Sequence, residues 1–145
     1  MKLRPILIAL CLLPGLALAG PPMSRIVQGN YDDVTFDLEN AIVNQGLVVD
    51  WVSHVGDMLI RTGESIDGAA PIYLNAAVYN FCSAALSRAA MEADATNLQN
   101  CPYGVFVYEH SDAPGEIVIG HRIYDEDSMQ AVNALLDAVV NEVAD

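Results

Sequence analysis

The pattern of apolar and polar residues predicts five short strands separated by helices. Runs of β-branched and aromatic residues, several of them with alternating polarity, are typical of strands. These runs occupy residues 24–31, 47–55, 71–79, 103–110 and 116–124. Residues 103–110 and 116–124 flank the short connection SDAPG, and its Pro114 and Gly115 predict a β-hairpin.

A spacing of three to four residues between apolar positions predicts three helices and one or two further helical turns. The helices cover residues 32–45, 83–94 and 128–143. Residues 56–63 form either the further turns or a loop between two strands. Asp32 or Asp33 is placed to cap the first helix, and Gly46 is placed to end it. Asn80 or Ser83 is placed to cap the second helix.

The order of these elements, β-α-β-(α)-β-α-β-β-α, predicts an α+β fold. Because the strands are few and two of them form a hairpin, we expect an antiparallel or mixed sheet. A sheet of this kind buries one face under helices, so the predicted architecture is a small sandwich with the helices on one face.

His121 is expected to face the covered side of the sheet, because it alternates with Ile119 in the last strand. A hairpin turn centred near Ala113 and Pro114 would place His121 opposite Phe106, a pairing that a one-residue slip changes. The pattern favours a core or rim histidine over a ligand-binding one.

Residues 1–19 are expected to be a secretory signal peptide. Lys2 and Arg4 form a basic start, residues 6–18 are almost wholly apolar, and small residues precede a cut after Ala19. The apolar run is shorter than the roughly 20 residues that a membrane-spanning helix needs. The sequence therefore predicts export to the periplasm or secretion.

The remaining residues, 20–145, are expected to form a single domain with no membrane span after processing. Lys2 and Arg4 leave with the leader, so the 6 Lys and Arg residues fall to 4 against 19 acids, a net charge of −15. Nucleic acids and anionic membrane surfaces attract basic proteins, so this charge argues against both as partners.

Four segments of the chain resemble the bacterial domain of unknown function 302 (DUF302) family. They are NQGLVVDWVSHVGDMLIRTG, YNFCSAALSRAAMEAD, CPYGVFVYE and VIGHRIY. The resemblance spans about Ile26 to Val143 and implies an α+β fold similar to the TATA-box-binding-protein-like class, usually as a homodimer. The family has no established activity and gives no residue a role, although some exported members occur beside sulfur-oxidation and redox functions.

Cys82 and Cys101 are the two cysteines that remain after the leader is removed. Thiols tend to pair in an oxidising compartment, and this pair would stabilise the fold by about 3 kcal/mol in the chain-entropy model. The bridge can form but would be taut, because a helix from Cys82 to Asp94 is roughly 18–20 Å long and the chain must return along nearly all of it.

The disulfide therefore stays open beside two alternatives. Cys82 lies at a helix N-terminus, where free N–H groups favour a reactive thiolate for redox or sulfur chemistry. Both cysteines can equally be inert, buried side chains. The sequence alone does not choose between these alternatives.

Cys82, Met91 and His121 offer soft or nitrogen ligands of the kind that bind copper or haem iron. An ideal helix, however, places Met91 opposite Cys82, so one ion could take both only if Cys82 precedes the helix. The chain also lacks the H-E-x-x-H and C-x-x-C-H signatures. We therefore assign no metal or cofactor and keep copper or haem as a less favoured alternative.

Arg61 and Arg122 are rare cations in an acidic chain. Each is a candidate for binding an anionic ligand, although a structural ion pair with one of the many acids is favoured. The acids form no isolated, apolar-flanked pair for acid–base catalysis, so we assign no catalytic residue and favour a non-enzymatic role.

These observations predict an exported accessory module that binds a small ligand or another periplasmic protein, with a possible link to sulfur or redox metabolism. The alternatives are a redox or sulfur-handling protein that acts through Cys82, and a copper or haem carrier. The candidate ligand-binding residues are Met91, His121, Arg61 and Arg122.

Overall fold

The structure, a computed structural model, describes residues 22–63, 65–66 and 69–145. The predicted signal peptide, residues 1–19, lies outside the described residues. The described chain contains five strands in one antiparallel sheet, in the order β1-β5-β4-β3-β2. They are β1 (Met23–Gln28), β2 (Val49–Ser53), β3 (Tyr73–Phe81), β4 (Tyr103–His110) and β5 (Glu116–His121). The α+β prediction is confirmed.

Four α-helices and two 3-10 helices connect these strands in the described chain. The α-helices are α1 (Tyr31–Asn44), α2 (Val55–Gly63), α3 (Ala84–Ala93) and α4 (Gln130–Ala144). The 3-10 helices cover Ala95–Asn100 and Asp127–Met129. The segment predicted as one or two helical turns or a loop is thus the helix α2. No helix in the described chain is long and apolar enough to cross a membrane.

The ends of α1 and α3 follow from local hydrogen bonds. Asn30 caps α1 by accepting from the backbone N–H of Asp32 at 2.8 Å, so the prediction of Asp32 or Asp33 as the cap was wrong by two or three residues. The short amide side chain of Asn30 satisfies a free N–H of the first turn. Gly46 follows α1 with φ of 74°, and Ser83 caps α3.

The hydrophobic core lies between α1, α4 and the sheet face that we call the inner face. α4 packs against β1 and β5, and α1 packs against α4, β2 and β4. Alternate strand residues point into this core and are fully buried, as periodicity of two requires. The largest side chains of the core are Tyr103, Phe81, Leu38, Ile42, Ile117, Ile119, Met129 and Leu136.

The register of the β4–β5 hairpin places His121 opposite Val105, and Phe106 opposite Gly120. The predicted pairing of His121 with Phe106 was therefore wrong by one residue. The loop between the strands contains five residues, 111–115, so the hairpin is centred on Ala113 alone. With this register His121 and Val105 both lie on the inner face, and Phe106 lies on the other side.

The opposite side of the sheet, which we call the outer face, has no packed helix layer in the described chain. α1 and α4 both lie on the inner side, and α2 contacts β3 beside its first half, where β2 has ended. Side chains of the outer face are half-buried or exposed, among them Ile26, Val78, Phe106, Tyr108 and Val118. The expected small sandwich, with helices covering one face of the sheet, is confirmed.

Candidate binding site

A cavity of about 550 Å³ lies between α2 and the segment that leads into β3. Aliphatic side chains dominate its lining, and Thr62 and Tyr73 supply the polar side-chain atoms among the described lining residues. The aliphatic lining comprises Leu59, Ile60, Ile66, Ala69, Ala70 and Ile72. A space of this size and lining falls within the range of roughly 300–1,000 Å³ that small-molecule sites occupy.

A second, shallower groove of about 260 Å³ crosses the outer face of β3 and β4. Val55 of α2 and Tyr73 border it, and the side chains of Val78, Phe106 and Tyr108 line it. Tyr73 lines both the groove and the larger cavity, so the two spaces adjoin at this side chain. Together they form the candidate binding site.

Three aromatic rings form a continuous row along the groove. The rings of Phe106 and Tyr108 are stacked, with centroids 6.1 Å apart and an angle of 24° between their planes. The ring of Tyr73 lies 5.2 Å from that of Tyr108 at an angle of 58°. A row of this kind offers a flat apolar surface with one tilted wall.

Two glycines allow this arrangement. A Cβ atom at Gly120 would lie 2.6 Å from Cζ of Phe106, so the absence of a side chain lets the phenyl ring lie across β5. A Cβ atom at Gly56 would lie 2.7 Å from the backbone nitrogen of Ala76, so glycine lets α2 begin against β3. Gly56 therefore sets how close α2 comes to the strand that borders the cavity.

No charged side chain lines either space among the residues that the structure describes. Arg61, a predicted ligand-binding residue, lies in α2 and is exposed. Arg61 lies five residues after Gly56, and a rotation of 100° per residue places the two positions roughly 140° apart around the helix axis. Arg61 therefore points away from the cavity. The structure does not bring Arg61 into the candidate site.

Arg122 is exposed, and its guanidinium lies 5.1 Å from the centre of the Tyr124 ring, which is a cation–π distance. Within residues 22–63, 65–66 and 69–145, neither Arg61 nor Arg122 forms the ion pair that the sequence favoured. The arginine ion pair found there joins Arg88 to Glu92 at 3.3 Å on the surface of α3.

His121 is buried on the inner face, and both of its ring nitrogens have partners. Nδ1 lies 2.7 Å from the carbonyl oxygen of Arg122, and Nε2 lies 3.0 Å from a carboxylate oxygen of Asp137 in α4. A carbonyl oxygen only accepts, so Nδ1 is the donor in the first contact, and Nε2 faces the carboxylate in the second. No ring nitrogen is left for a metal ion, so His121 joins β5 to α4.

Cys82 and Cys101 lie together, with their Sγ atoms at disulfide-bonding distance and their Cα atoms 6.5 Å apart. The expected geometric obstacle does not arise, because α3 ends at Ala93 and the 3-10 helix Ala95–Asn100 carries the chain back. Both cysteines are half-buried, and the hydroxyl of Ser87 lies 3.7 Å from Sγ of Cys101. The two cysteines are a candidate cross-link between the ends of the segment that contains α3 and the following 3-10 helix.

Met91 lies in α3 and is partly buried. Both ring nitrogens of His121 are engaged, so this imidazole is not open to join Met91 and Cys82 around one ion. In the described part of the chain, no group of three or more His, Cys, Asp or Glu side chains is arranged to hold a metal ion.

The aromatic row was missed by the sequence analysis, although the sequence carries a signal for it. The segment YGVFVY in β4 is apolar in both alternating registers: Val105 and Val107 in one, Phe106 and Tyr108 in the other. A strand that is apolar on both sides predicts that both faces meet apolar partners. The role of Tyr73 depends on a register irregularity in β3, which periodicity does not predict.

The structure is similar to the crystal structure of the uncharacterized conserved protein DUF302 from Bacillus stearothermophilus. The TM-score is 0.60, the sequence identity is 17%, and the similarity covers 85% of this chain and 92% of that chain. It confirms the predicted DUF302-like fold. No family model and no curated protein matches the sequence.

Proposed function

We propose that the protein is an exported, non-catalytic binding module that holds a small apolar ligand beside the outer face of its sheet. The observation that carries this proposal is the cavity of about 550 Å³ between α2 and β3, which adjoins the aromatic groove at Tyr73. Concave apolar sites with few polar groups are the usual form of small-molecule sites.

The exposed apolar side chains around the site support the same role. Ile60, Ile66 and Ile72 line the cavity and remain 57%, 60% and 53% exposed. A contiguous apolar surface of this kind marks an interaction site in a soluble protein. A ligand that covers it would recover the hydrophobic free energy that the unliganded protein leaves unused.

Export is supported by the sequence of residues 1–19 and by the pairing distance of Cys82 and Cys101. Disulfides persist in oxidising compartments such as the bacterial periplasm. N-terminal sequencing of the native protein and a thiol titration test this part of the proposal. We expect a start at Gly20 and no titratable thiol without reductant, and an intact Met1 would contradict export.

A homodimer is the further association that we propose, on the basis of the resemblance to the DUF302 family. Ile26 and Trp51 lie at the two edges of the sheet, on its outer side, and are 62% and 53% exposed. They leave an apolar surface beyond the groove that a second copy would cover. Sedimentation equilibrium decides between a monomer and a dimer.

A redox or sulfur-handling role is the second candidate function. The partial exposure of Cys82 and Cys101 supports it, because a reductant can reach a half-buried cross-link. This role predicts rapid reduction by a mild dithiol and a fast-reacting Cys82 thiol. A cross-link that resists reduction in the folded protein would instead be structural.

Binding of the neutral dye Nile red to the purified mature protein tests the main proposal. An Ala70→Phe variant adds a phenyl ring to the lining of the cavity, and Ala138→Phe makes the same change on an exposed position of α4. We expect saturable dye binding that weakens at least tenfold in Ala70→Phe and is unchanged in Ala138→Phe. The proposal fails if the wild-type protein does not bind the dye, or if both variants bind it as well as the wild type.

A further inference from the structure

We propose that the Cys82–Cys101 cross-link exchanges with dithiols in one direction, so that the incoming thiol bonds to Cys82 and Cys101 departs as the thiolate. Ser87 sets this direction by donating a hydrogen bond to Cys101. The inference rests on the second candidate function, a redox role, and gives each cysteine a separate part in it. It is independent of the ligand-binding function.

The hydroxyl of Ser87 lies between two partners, and one arrangement of donors satisfies both contacts. Its oxygen lies 3.7 Å from Sγ of Cys101, within reach of a hydrogen bond to sulfur, and 2.8 Å from the phenol oxygen of Tyr103. A sulfur in a cross-link carries no hydrogen, so Ser87 is the donor to Cys101. A serine hydroxyl has one hydrogen, so Tyr103 is in turn the donor to Ser87.

The fold holds this chain of donors in place. Tyr103 begins β4 and is only 1% exposed, and Ser87 lies in the first turn of α3. If Ser87 donated to Tyr103 instead, the buried phenol would have no acceptor among the described residues, which is a costly loss. The hydroxyl of Ser87 therefore points at Cys101 before any reaction begins.

The two sulfur atoms differ in this contact. Cys82 follows β3 directly, and no hydrogen bond to its Sγ is found within the part of the chain that the structure describes. Both cysteines are half-buried, so a difference in burial class does not decide which one is attacked. A hydrogen bond to the departing sulfur stabilises its developing negative charge, and a more stable thiolate leaves faster. Attack is therefore directed to Cys82.

The exchange transfers two electrons and two protons. One thiolate of the dithiol attacks Sγ of Cys82, a new S–S bond forms, and the electron pair of the broken Cys82–Cys101 bond passes to Cys101. The second thiolate of the dithiol then attacks its own partner sulfur, which closes the disulfide of the reagent and releases Cys82. The dithiol is oxidised, the cross-link is reduced, and the two protons of the dithiol end on the two cysteines.

Brief treatment of protein that comprises residues 20–145 with glutathione identifies the attacked sulfur. At early times this monothiol forms a mixed disulfide, and alkylation with iodoacetamide marks the cysteine that was released. Mass spectrometry should find glutathione on Cys82 and the alkyl group on Cys101, with about tenfold less of the reverse product. Equal amounts of the two products, or an excess of glutathione on Cys101, overturn the proposed direction.

Reduction rates of Ser87 variants separate a positioning role from a structural one. Ser87→Ala should slow reduction by dithiothreitol about tenfold, because the leaving thiolate loses its donor. Ser87→Thr keeps a hydroxyl and should react at close to the wild-type rate. A residue that only packs the fold would expose the cross-link when truncated and speed its reduction. An equal or faster rate in Ser87→Ala therefore overturns the role of Ser87.

Two further variants complete the comparison. Ser24→Ala, at an exposed position of β1, is the matched control and should leave the rate unchanged. Tyr103→Phe keeps the ring and removes the donor to Ser87, so it should slow reduction by about threefold. It repeats the test if Ser87→Ala does not fold, and an unchanged rate would contradict the chain of donors. Urea unfolding checks each variant.

The outcomes separate this inference from the function on which it rests. A cross-link that dithiothreitol does not reduce in the folded protein overturns the redox role and the inference with it. Reduction without a preference for attack at Cys82 leaves the redox role in place and overturns the direction. Neither outcome bears on the binding of Nile red.

Discussion

The two faces of the sheet are built from the same strands and differ in what covers them. On the inner face Val105 and Val107 of β4 are fully buried under α1 and α4. On the outer face their neighbours Phe106 and Tyr108 are half-buried and border open spaces. Both registers of one strand are therefore apolar, and the inner one contributes more of the burial that stabilises the fold.

This difference teaches that apolar content alone does not identify the core. A fully buried large side chain contributes about 1.5–3 kcal/mol through its removal from water. The outer side chains realise only part of that free energy, so the remainder is available to a ligand or a second copy. The first prediction compares the contributions of an inner and an outer side chain to the free energy of unfolding.

Truncation of a ring on each face should give the largest contrast. Phe81→Ala removes a fully buried inner ring and should cost about 3–5 kcal/mol, because a cavity remains in the core. Phe106→Ala removes a half-buried outer ring and should cost about 1–2 kcal/mol. Urea unfolding measures both, and equal losses would show that the outer face is part of the stability core.

Loss of the Cys82–Cys101 cross-link should have the next largest effect. Ala90 is the one buried residue of α3. The segment between Cys82 and Cys101, which contains α3, therefore has little packing against the rest of the domain. The enclosed loop, with a sequence separation of 19, predicts a loss of about 3 kcal/mol in the Cys82→Ser, Cys101→Ser double variant.

Thermal unfolding of that double variant, with and without reductant, checks the effect of the cross-link. Reductant should destabilise the wild-type protein and leave the double variant unchanged. If reductant has no effect on the wild-type protein, the two cysteines are not bridged in solution.

Gly56→Ala should loosen the border between the outer face and α2. The added Cβ atom would lie 2.7 Å from the backbone nitrogen of Ala76, and backbone at this distance must shift. We expect a loss of about 1–3 kcal/mol from the strain of overpacking. Gly63→Ala is the matched control, because a Cβ atom there meets no neighbour within 4 Å.

Dye binding should respond to the same pair of variants. Gly56→Ala displaces α2 from β3 and should weaken Nile red binding, whereas Gly63→Ala should leave the affinity close to that of the wild type. A full-affinity Gly56→Ala variant would show that the position of α2 does not define the cavity.

The smallest effect is an alkaline loss of stability that arises on the inner face. Burial raises the pKa of Tyr31, Tyr79 and Tyr124 above the ordinary value of 10.0, although Arg122 partly offsets the rise at Tyr124. A raised folded-state pKa gives stability that is complete below pH 10 and is lost as the pH rises through that pKa. Urea midpoints measured from pH 8 to 11 should therefore fall above pH 10.

A Tyr31→Phe variant isolates one contribution to that loss. The variant has no phenol to ionise at this position, so its urea midpoint should fall less between pH 10 and 11 than that of the wild type. An identical fall in both proteins would assign the alkaline loss to other groups.

The regular part of the fold was predictable because local pattern and packing agree. The apolar stripe of α1, the stop at Gly46 and the β4–β5 hairpin all have local signals. The two predictions that were wrong, the cap of α1 and the register of the hairpin, each depend on a shift of only a few residues. Asn30 competes with Asp32 for the same cap, and a five-residue hairpin loop shifts the register of His121 by one position.

The candidate site was harder to predict because it is assembled from segments that are distant in the sequence. Tyr73 and Tyr108 meet across two strands, and α2 reaches β3 only because Gly56 has no side chain. The residues that the sequence singled out were rare ones, namely Arg61, Met91, Arg122 and His121. His121 was singled out because histidine is rare in this sequence. In the structure it is buried and links β5 to Asp137 of α4.

A two-dimensional NMR titration of isotope-labelled protein that comprises residues 20–145 with 4-octylphenol tests the central claim most directly. Saturable chemical-shift changes should be confined to α2, the segment at residues 69–73 and the outer-face residues Phe106 and Tyr108, while α4 stays unchanged. Shifts that are absent, or that concentrate on α1 and α4, would contradict a ligand site on the outer side of the sheet.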